Sequence, residues 1–329
     1  MKNILRGLLL AFAAVTITAL AVAQGPGINY AKVQFITQQF APNVYILTGS
    51  PGADVGHPEA AGGRIGVLAG PEGVLMVDAT YAPLSDKLAA AIKQINPGPI
   101  RFLIDTHYHP DHTGGNPNFA KKGALIFARE EVRQALITPP PPAVLAAVGD
   151  AASWTAPERL PIVTYGNGAT VKIHFDGETV DLIPLPSGHT NGDTMVRFET
   201  ANVIMIGDFY RNYGYPFVDA TRGASFKGTL ESIDLLLRTA DANTKLVPGH
   251  GSLPKLADVK AYRDMIVDVR SKVEQMAANG SSLQQVLAAR LTAPYDAKVP
   301  GGTDLLPAGL GNSADRFVSA LYAEVKASR

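Results

Sequence analysis

The feature that most constrains this chain is a run of histidines and an aspartate at positions 106–115, Thr-His-Tyr-His-Pro-Asp-His-Thr-Gly-Gly. Three imidazoles and one carboxylate fall within six consecutive positions of that run. A buried core would have to supply a partner for each of these polar groups, so the run is a poor core segment. Because it contains a proline and ends in two glycines, we predict a loop rather than a helix, directly after a short buried strand at 102–104.

Metal binding accounts for this run. Neutral imidazoles and carboxylates suit zinc, and the chain has no cysteine, which excludes thiolate zinc sites, iron–sulfur clusters, disulfides and a cysteine nucleophile. Two further histidines, His189 and His250, follow predicted strands beside glycine, and Asp208 ends another apolar stretch. Loops at strand ends often gather into a functional site. The run and these three residues provide five histidines and two aspartates, enough for two metal ions.

Length and charge narrow the class of protein. A chain of 329 residues that is 46% hydrophobic can form one large domain or two small ones, and it is neither disordered nor fibrous. Lys and Arg number 29, equal to the 29 Asp and Glu, and no basic block is present. A nucleic-acid partner is therefore not expected, because it would need a cationic surface. A small-molecule substrate is the expected partner.

The N-terminus has the pattern of a secretory signal peptide. Lys2 and Arg6 precede an apolar run at 7–22, which ends in small residues up to Ala23. We predict cleavage before Gln24 and a periplasmic or secreted mature protein. An uncleaved membrane anchor is the alternative, but the run is short for a membrane span, so no stable anchor is expected.

Turn signals and apolar periodicity predict alternating strands and helices along the mature chain, 24–329. The predicted strands are 43–48, 64–68, 74–78, 102–104, 171–175, 179–185, 194–198, 203–206 and 245–247. The predicted helices are 84–95, 229–238 and 255–276, followed by 283–291 and 313–325 in a C-terminal helical extension near 280–329. This order indicates an α/β fold, a layered sandwich of sheets.

A stretch of four prolines begins an insertion near 139–161. Such a stretch is a stiff extended spacer, and the insertion is either a passive linker or a lid beside the substrate. A second segment, at 49–63, is rich in Gly, Pro and Ala and is expected to be a mobile loop.

The run at 106–115, followed in order by the other three residues, resembles the metallo-β-lactamase superfamily of binuclear hydrolases over roughly 33–253. The resemblance implies an αββα sandwich, two mixed sheets flanked by helices, with two metals at one edge. It also implies that three histidines hold the first zinc, that an aspartate and two histidines hold the second, and that Asp208 bridges them. In that order, the implied ligands are His107, His109 and His189, and then Asp111, His112 and His250.

The resemblance further implies a mechanism in which a hydroxide bridging the metals attacks a carbonyl. Asp111 and Asp208 are the expected catalytic residues, since Asp111 would also orient the hydroxide. Two dications with two carboxylates and one hydroxide keep a small positive charge, which favours an anionic substrate. Zinc is the expected metal, although iron or manganese would also accept these ligands.

Within the superfamily, Asp208 favours hydrolases of esters, thioesters or lactones, including those similar to glyoxalase II, because the β-lactamases usually lack a bridging carboxylate there. Three features favour β-lactams instead: the predicted export, the position of the 49–63 loop, and Arg211. An arginine three residues after Asp208 is well suited to bind a substrate carboxylate through its planar fork.

Further substrate contacts are expected from aromatic residues and from the 49–63 loop. Tyr210 and Tyr213 belong to an aromatic cluster directly after Asp208, which is either core packing or a pocket wall that donates to an oxyanion. His57 lies within the loop and is either solvated or a flap residue that visits the site.

Two functions of another class also remain open. One is an iron-dependent oxidoreductase similar to the persulfide dioxygenases that share the scaffold. The other is a non-catalytic periplasmic metal-binding accessory protein.

Overall fold

The fold consists of two facing β-sheets with helices on both outer sides. The computed structural model describes residues 29–49, 62–138, 153–304 and 312–328. The predicted signal peptide, most of the 49–63 loop with His57, and the first part of the predicted insertion therefore lie outside the described residues. Within the described ranges, no helix has both the length and the apolar character needed to cross a membrane.

The first sheet contains seven strands that pair in the order of the chain. Their bounds are β1 (Phe35–Ala41), β2 (Val44–Gly49), β3 (Ile65–Gly70), β4 (Gly73–Val77), β5 (Ile100–Ile104), β6 (Leu125–Arg129) and β7 (Val163–Tyr165). Neighbours from β1 to β4 pair antiparallel, and those from β4 to β7 pair parallel. The sheet is thus mixed.

The second sheet contains five strands in the order β12-β11-β10-β9-β8. Their bounds are β8 (Val171–Phe175), β9 (Glu178–Pro184), β10 (Thr194–Phe198), β11 (Val203–Gly207) and β12 (Lys245–Pro248). Only β11 and β12 pair in parallel. Strands β8 and β9 form a hairpin, and its turn residues Asp176 and Gly177 both have positive φ, as such a two-residue turn requires.

The helices of the described residues lie mainly on the outer faces of the two sheets. They are α1 (Ser85–Ile95), α2 (Pro110–Thr113), α3 (Asn116–Ala120), α4 (Glu130–Ile137), α5 (Phe226–Thr239), α6 (Leu256–Ala278), α7 (Leu283–Ala288) and α8 (Ser313–Ala327). The predicted α/β fold, an αββα sandwich, is therefore confirmed.

Successive side chains of a strand point to opposite faces of its sheet and therefore pack in different layers. In β4, Leu75 and Val77 belong to the core between the sheets, whereas Val74 and Met76 pack with α1. In β11, Met205 likewise faces the first sheet, and its neighbours on the opposite face pack with α5, α6 and α8. Because both faces of these strands are covered, they are apolar throughout and not alternating in hydrophobicity.

The C-terminal helices pack on the outer face of the second sheet. Phe317 of α8 is fully buried and its ring lies 5.1 Å from that of Phe226 in α5. Arg270 of α6 donates to Glu324 of α8 at 2.7 Å, and the same carboxylate accepts the backbone N–H of Phe226 at 2.7 Å. This charged contact fixes α8 against the first turn of α5, where unpaired N–H groups need acceptors.

The described part of the predicted insertion, 153–161, packs on the domain. It consists of two short 3₁₀ turns, Ser153–Thr155 and Pro157–Arg159. Trp154 is 7% exposed and packs in a cluster with Tyr108 and residues of α4. Residues 139–152 lie outside the described chain, so whether the insertion is a lid or a linker stays a prediction.

Candidate metal centre

The seven predicted ligands lie in segments that follow strands at the same edge of the sandwich. His107 and its neighbours follow β5, His189 follows β9, Asp208 follows β11 and His250 follows β12. The backbone ties these loops together across the two sheets. The N–H of Thr194 donates to the carbonyl of Thr106 at 2.8 Å, and that of Arg64 donates to the carbonyl of Gly249 at 2.9 Å. The two sheets are therefore fixed against each other where the ligands meet.

The local structure of the 106–115 run differs from the predicted loop. Residues Pro110–Thr113 form one turn of helix, α2, and Pro110 occupies its first position. The prediction that proline prevents a helix here was wrong, because proline has no N–H to lose at the first helical position and its φ already suits the helix. This turn places Asp111 and His112 next to each other on the side of the other ligands.

Three histidines form the first group of donor atoms. Nδ1 of His109 lies 3.2 Å from Nε2 of His107 and 3.0 Å from Nε2 of His189. All three side chains are buried, and the three atoms fall within 4.8 Å of one another. Three ring nitrogens at such distances are arranged as ligands of a single cation.

A second group contains Asp111, His112 and His250. Nε2 of His250 is 2.9 Å from Oδ2 of Asp111, and Nε2 of His112 is 3.6 Å from the same oxygen. These donors again lie within 4.8 Å of one another.

Asp208 lies between the two groups. Its Oδ2 is 3.7 Å from Nε2 of His189 and 3.3 Å from Nε2 of His250, and its Oδ1 is 3.5 Å from Nε2 of His112. With an 11% exposed side chain, Asp208 is the most accessible of the seven. One carboxylate thus reaches donors of both groups, as a bridging ligand would.

The donor set fits divalent metal ions. Nε2 of His112 and Oδ1 of Asp208 are buried and have no hydrogen-bond partner among the described residues. Buried polar atoms without partners are costly, and both of these atoms point into the cluster of donors, 3.5 Å from each other. Imidazole and carboxylate are also the ligands that zinc, iron and manganese accept.

The histidine rings are held by partners at their other nitrogens. Nδ1 of His112 is 2.7 Å from Oδ2 of Asp78, and Nδ1 of His107 is 3.1 Å from the hydroxyl of Thr106. On the other side of the site, Nε2 of His109 is 3.4 Å from Asp219, and Nδ1 of His189 is 3.1 Å from the carbonyl of Phe217. Such contacts fix the ring orientation and leave the remaining nitrogen free for a metal.

Sequence reasoning missed Asp78 and Asp219. Asp78 directly follows β4 with φ of +63°, and its carboxylate also accepts the N–H and the hydroxyl of Thr106 at 2.8 Å each. A polar residue at the end of a buried strand was an available signal for it. Asp219 accepts the hydroxyl of Tyr108 at 2.8 Å, and nothing in its sequence neighbourhood indicates this role.

Electrostatics favour neutral imidazoles at two of the candidate ligands and an ionised carboxylate at a third. Burial, reinforced by the neighbouring His109, lowers the pKa of His189 to about 3. Burial also lowers the pKa of His107 well below its usual value, with His112 acting in the same direction. Although burial alone would raise the pKa of Asp208, the imidazoles of His250 and His112 hold that pKa well below its usual value. The imidazoles of His107 and His189 are thus neutral and the carboxylate of Asp208 is ionised at pH 7. For His112 and His250, burial favours the neutral form, but the carboxylates of Asp111 and Asp208 outweigh it and raise the pKa, so these two imidazoles would give up a proton on binding a metal.

Replacing Asp78 with asparagine is expected to weaken binding at the second group. The amide can still accept from the N–H of Thr106, but it no longer offers a carboxylate to Nδ1 of His112. Loss of such an outer partner typically costs about 10–100-fold in metal affinity. Competition with a chromophoric chelator measures the affinity, and Asp86→Asn at an exposed site is the control. An unchanged affinity for both metals would exclude this role of Asp78.

The residues predicted to bind substrate differ in burial and in their distance from the candidate metal ligands. Tyr213 is half-buried, and its ring lies 6.2 Å from that of His250. Nη2 of Arg211 donates to the hydroxyl of Tyr213 at 2.7 Å. Tyr210, in contrast, is 3% exposed and packs at 4.9 Å against Tyr262 in the core. This contact corresponds to core packing, one of the two alternatives for Tyr210.

A cavity of about 460 Å³ lies next to Arg211. Residues that follow β11 and β12, among them Asn212 and Ser252, form one part of its wall, and α6 and residues 295–300 form the rest. Tyr210 contributes to the lining, but none of the seven candidate metal ligands does. The cavity is thus separate from the donor cluster, and Arg211 is common to the cavity and the loop after Asp208.

Solved structures of other proteins share this fold. A metallo-beta-lactamase from Pontibacter korlensis superposes with a TM-score of 0.55 at 17% identity, covering 70% of this chain and 99% of that one. The DIM-1 metallo-beta-lactamase gives a TM-score of 0.54 at 16% identity, covering 71% and 97% of the two chains. At these identities the likeness concerns the fold alone.

A curated relative matches a shorter stretch. It is a hydroxyacylglutathione hydrolase from Erythrobacter litoralis, 29% identical over 111 residues, which are 33% of this chain. The match spans about a third of the relative, 34% of its length. The family model described as the metallo-beta-lactamase superfamily matches residues 60–250, a stretch that contains all seven candidate ligands. The chain therefore belongs to the metallo-beta-lactamase superfamily, as the sequence motif predicts.

Proposed function

We propose that this protein is a hydrolase that binds two zinc ions and acts on the carbonyl group of an ester, thioester, lactone or β-lactam. The observation that carries the proposal is the convergence of seven donor residues into groups that share Asp208. Membership of the superfamily and the partial match to a hydroxyacylglutathione hydrolase support hydrolytic chemistry. When bound, a pair of divalent cations lowers the pKa of water and polarises a carbonyl oxygen.

Asp111 and Asp208 are the proposed catalytic carboxylates. Although burial by itself would raise the pKa of Asp111, the imidazoles of His112 and His250 lower it, so this carboxylate is ionised at pH 7. An ionised carboxylate beside the metals can accept a hydrogen bond from the attacking water, orient it and take up its proton. Asp208 holds both groups of ligands in one arrangement.

The substrate is proposed to be a small anionic molecule, bound by Arg211 and Tyr213. Burial raises the pKa of Tyr213 to about 12, so its hydroxyl keeps its proton at pH 7 and can donate to an oxyanion. The guanidinium of Arg211, 4.6 Å from the Tyr213 ring, carries the charge that a substrate carboxylate would meet. We further propose that the cavity beside Arg211 receives the uncharged part of the substrate.

Replacing Arg211 with alanine is expected to raise KM about tenfold for substrates with a free carboxylate, with kcat nearly unchanged, because a charge-assisted contact to the ground state is lost. Uncharged esters of the same acyl length should keep their KM. Steady-state kinetics on such a pair of esters measures both constants. An equal change for charged and uncharged substrates would rule out carboxylate recognition by Arg211.

The proposed reaction is tested with purified protein, zinc analysis and a panel of substrates: nitrocefin, a thioester, an acyl-homoserine lactone and a phosphodiester. We expect hydrolysis of at least one carbonyl substrate, loss of that activity on chelation and recovery on adding zinc. The ranking of kcat/KM across the panel identifies the substrate class. Full activity after exhaustive chelation would contradict the proposal, as would oxygen consumption with a persulfide by an iron-loaded protein that hydrolyses none of the panel.

We also propose that the protein is exported, on the pattern of its first 23 residues. Expression in a Gram-negative bacterium is expected to yield a periplasmic protein whose N-terminal residue is Gln24. Intact-mass spectrometry of the periplasmic fraction measures the cleavage site. Recovery of a full-length chain beginning at Met1 in the membrane fraction would show an uncleaved anchor instead.

A further inference from the structure

Two arginines near the metal centre carry buried donors without partners. Arg211 lies in the loop after β11, and Arg316 lies in the first turn of α8. Nε of both residues and Nη1 of Arg316 are buried and make no hydrogen bond to any described residue. The arginines that form ion pairs in the described part of the chain are others, namely Arg129, Arg263, Arg270 and Arg290.

Each of these two arginines is separated from a candidate metal ligand by one aromatic ring. The guanidinium carbon of Arg211 is 4.6 Å from the ring of Tyr213, which lies 6.2 Å from the ring of His250. The guanidinium carbon of Arg316 is 4.8 Å from the ring of Phe217, which lies 5.7 Å from the ring of His189. Both cations therefore flank the same edge of the sandwich, next to the place where a substrate would reach the metals.

The surroundings of Arg316 are electrostatically unfavourable in the absence of an anion. Burial, together with the repulsion of nearby Arg211, lowers the pKa of Arg316 to about 10, and no carboxylate contributes to the shift. Arg316 still carries its charge at pH 7. It also stands in the first turn of α8, where the positive end of the helix dipole disfavours a cation. A buried charged donor without an acceptor costs free energy, so this arrangement calls for an external acceptor.

A carboxylate provides the acceptors that are missing. The two guanidiniums have three donor nitrogens without a partner, and carboxylate oxygens can accept from them, because a guanidinium binds a carboxylate in a planar, charge-assisted geometry. The aromatic rings below the guanidiniums limit the access of water, which strengthens such contacts.

We propose that Arg316, together with Arg211, forms a binding site for a carboxylate of the substrate, and that the C-terminal helix α8 thereby determines substrate specificity. Part of this proposal rests on the proposed function, since it deepens the assignment of an anionic substrate. Arg316 lies outside residues 60–250, so the superfamily match does not extend to this residue.

Calorimetric titration of the zinc-loaded protein with phenylacetate tests the proposal without any need for turnover. Replacing Arg316 with methionine is expected to weaken phenylacetate binding at least about tenfold, because charge-assisted hydrogen bonds are lost. Binding of the uncharged phenylacetamide should not change. Equal phenylacetate affinity in wild type and Arg316→Met would overturn the proposal. Phenyl phosphate is the competing ligand. If it binds the wild type more tightly than phenylacetate does, and Arg316→Met weakens the binding of both to the same extent, the assignment to a carboxylate is overturned.

Two further variants separate recognition from packing. Arg270→Met removes the contact between α6 and Glu324 of α8. It thus disturbs the packing of α8 but leaves Arg211 and Arg316 in place. We expect it to leave phenylacetate binding unchanged, and a loss equal to that of Arg316→Met would show a structural effect. Arg316→Lys keeps the charge but not the planar fork, so it should also weaken binding, and it replaces the methionine variant if that one does not fold.

Kinetics connect the site to the reaction. The 4-nitrophenyl monoester of adipic acid has a free carboxylate, and 4-nitrophenyl hexanoate is its uncharged counterpart. For Arg316→Met we expect KM to rise at least about tenfold for the adipate only, with a similar kcat for both. Equal changes in KM for the two esters would contradict the proposal. If neither ester is hydrolysed by the wild type, the proposed reaction on esters fails, while the calorimetric result still decides whether Arg316 binds a carboxylate.

Discussion

Replacing Asp111 with alanine is expected to lower kcat by about 10²–10⁴-fold, the range typical of a lost acid–base residue. The loss has two physical causes. The second group of ligands loses its carboxylate, which lies 2.9 Å from Nε2 of His250, and the attacking water loses its proposed hydrogen-bond acceptor. Activity on the best substrate of the panel and metal content per chain are the measurements.

The control for this variant is Asp86→Ala. Asp86 is an aspartate with a 97% exposed side chain that pairs with Lys122 at the surface, and its loss should leave kcat within about twofold. Circular dichroism should show that the Asp111 variant keeps its fold, because the core layers do not include that residue. Retention of wild-type kcat at full metal content would refute the catalytic role of Asp111.

Replacing Gly63 with alanine is expected to abolish binding of the second metal. A Cβ at this position would stand 2.2 Å from Cε1 and 2.7 Å from both nitrogens of the His112 ring. The ring cannot yield cheaply, because it is fully buried and Asp78 holds its Nδ1 at 2.7 Å. We therefore expect the metal content to fall from two ions per chain towards one, with a loss of at least about 1–3 kcal/mol in stability from overpacking.

Gly166→Ala is the matched control, since a Cβ there meets no atom within 4 Å. Elemental analysis after dialysis measures metal content, and thermal unfolding measures stability. A Gly63 variant that still holds two ions with wild-type affinity would show that the His112 ring is not a ligand in the position described.

The local sequence was sufficient to predict the strands that precede the candidate metal ligands. The apolar stretches that become β4 and β11 are buried at every position, and β12 is buried after its first residue, so their composition alone indicates strands. A polar residue directly after such a strand is not expected in the apolar core. Because the strand ends there, the residue is expected at the edge of the sheet. This is why Asp208 and His250, which follow β11 and β12, could be selected without knowledge of the fold.

Other elements could not be predicted because their sequence carries a weak signal. Strand β1, Phe35–Ala41, is largely exposed and reads Phe-Ile-Thr-Gln-Gln-Phe-Ala, with no apolar face to reveal its pairing with β2. The short edge strand β7, Val163–Tyr165, is likewise mostly exposed. Both are strands because a neighbouring strand offers hydrogen bonds to them, and that is a property of the sheet and not of the segment.

The sequence by itself determined the chemistry of this protein: the kinds and order of seven donor residues, the absence of thiolates and the family to which they point. Only the tertiary structure decided which groups support them. Asp78 and His112 are 34 positions apart, Tyr108 and Asp219 are 111 apart, and Arg316 comes from a helix at the far end of the chain. Residue types are visible in a linear sequence, but contacts between distant positions form only when the sheets and helices pack, so the partners of a site cannot be read from its motif.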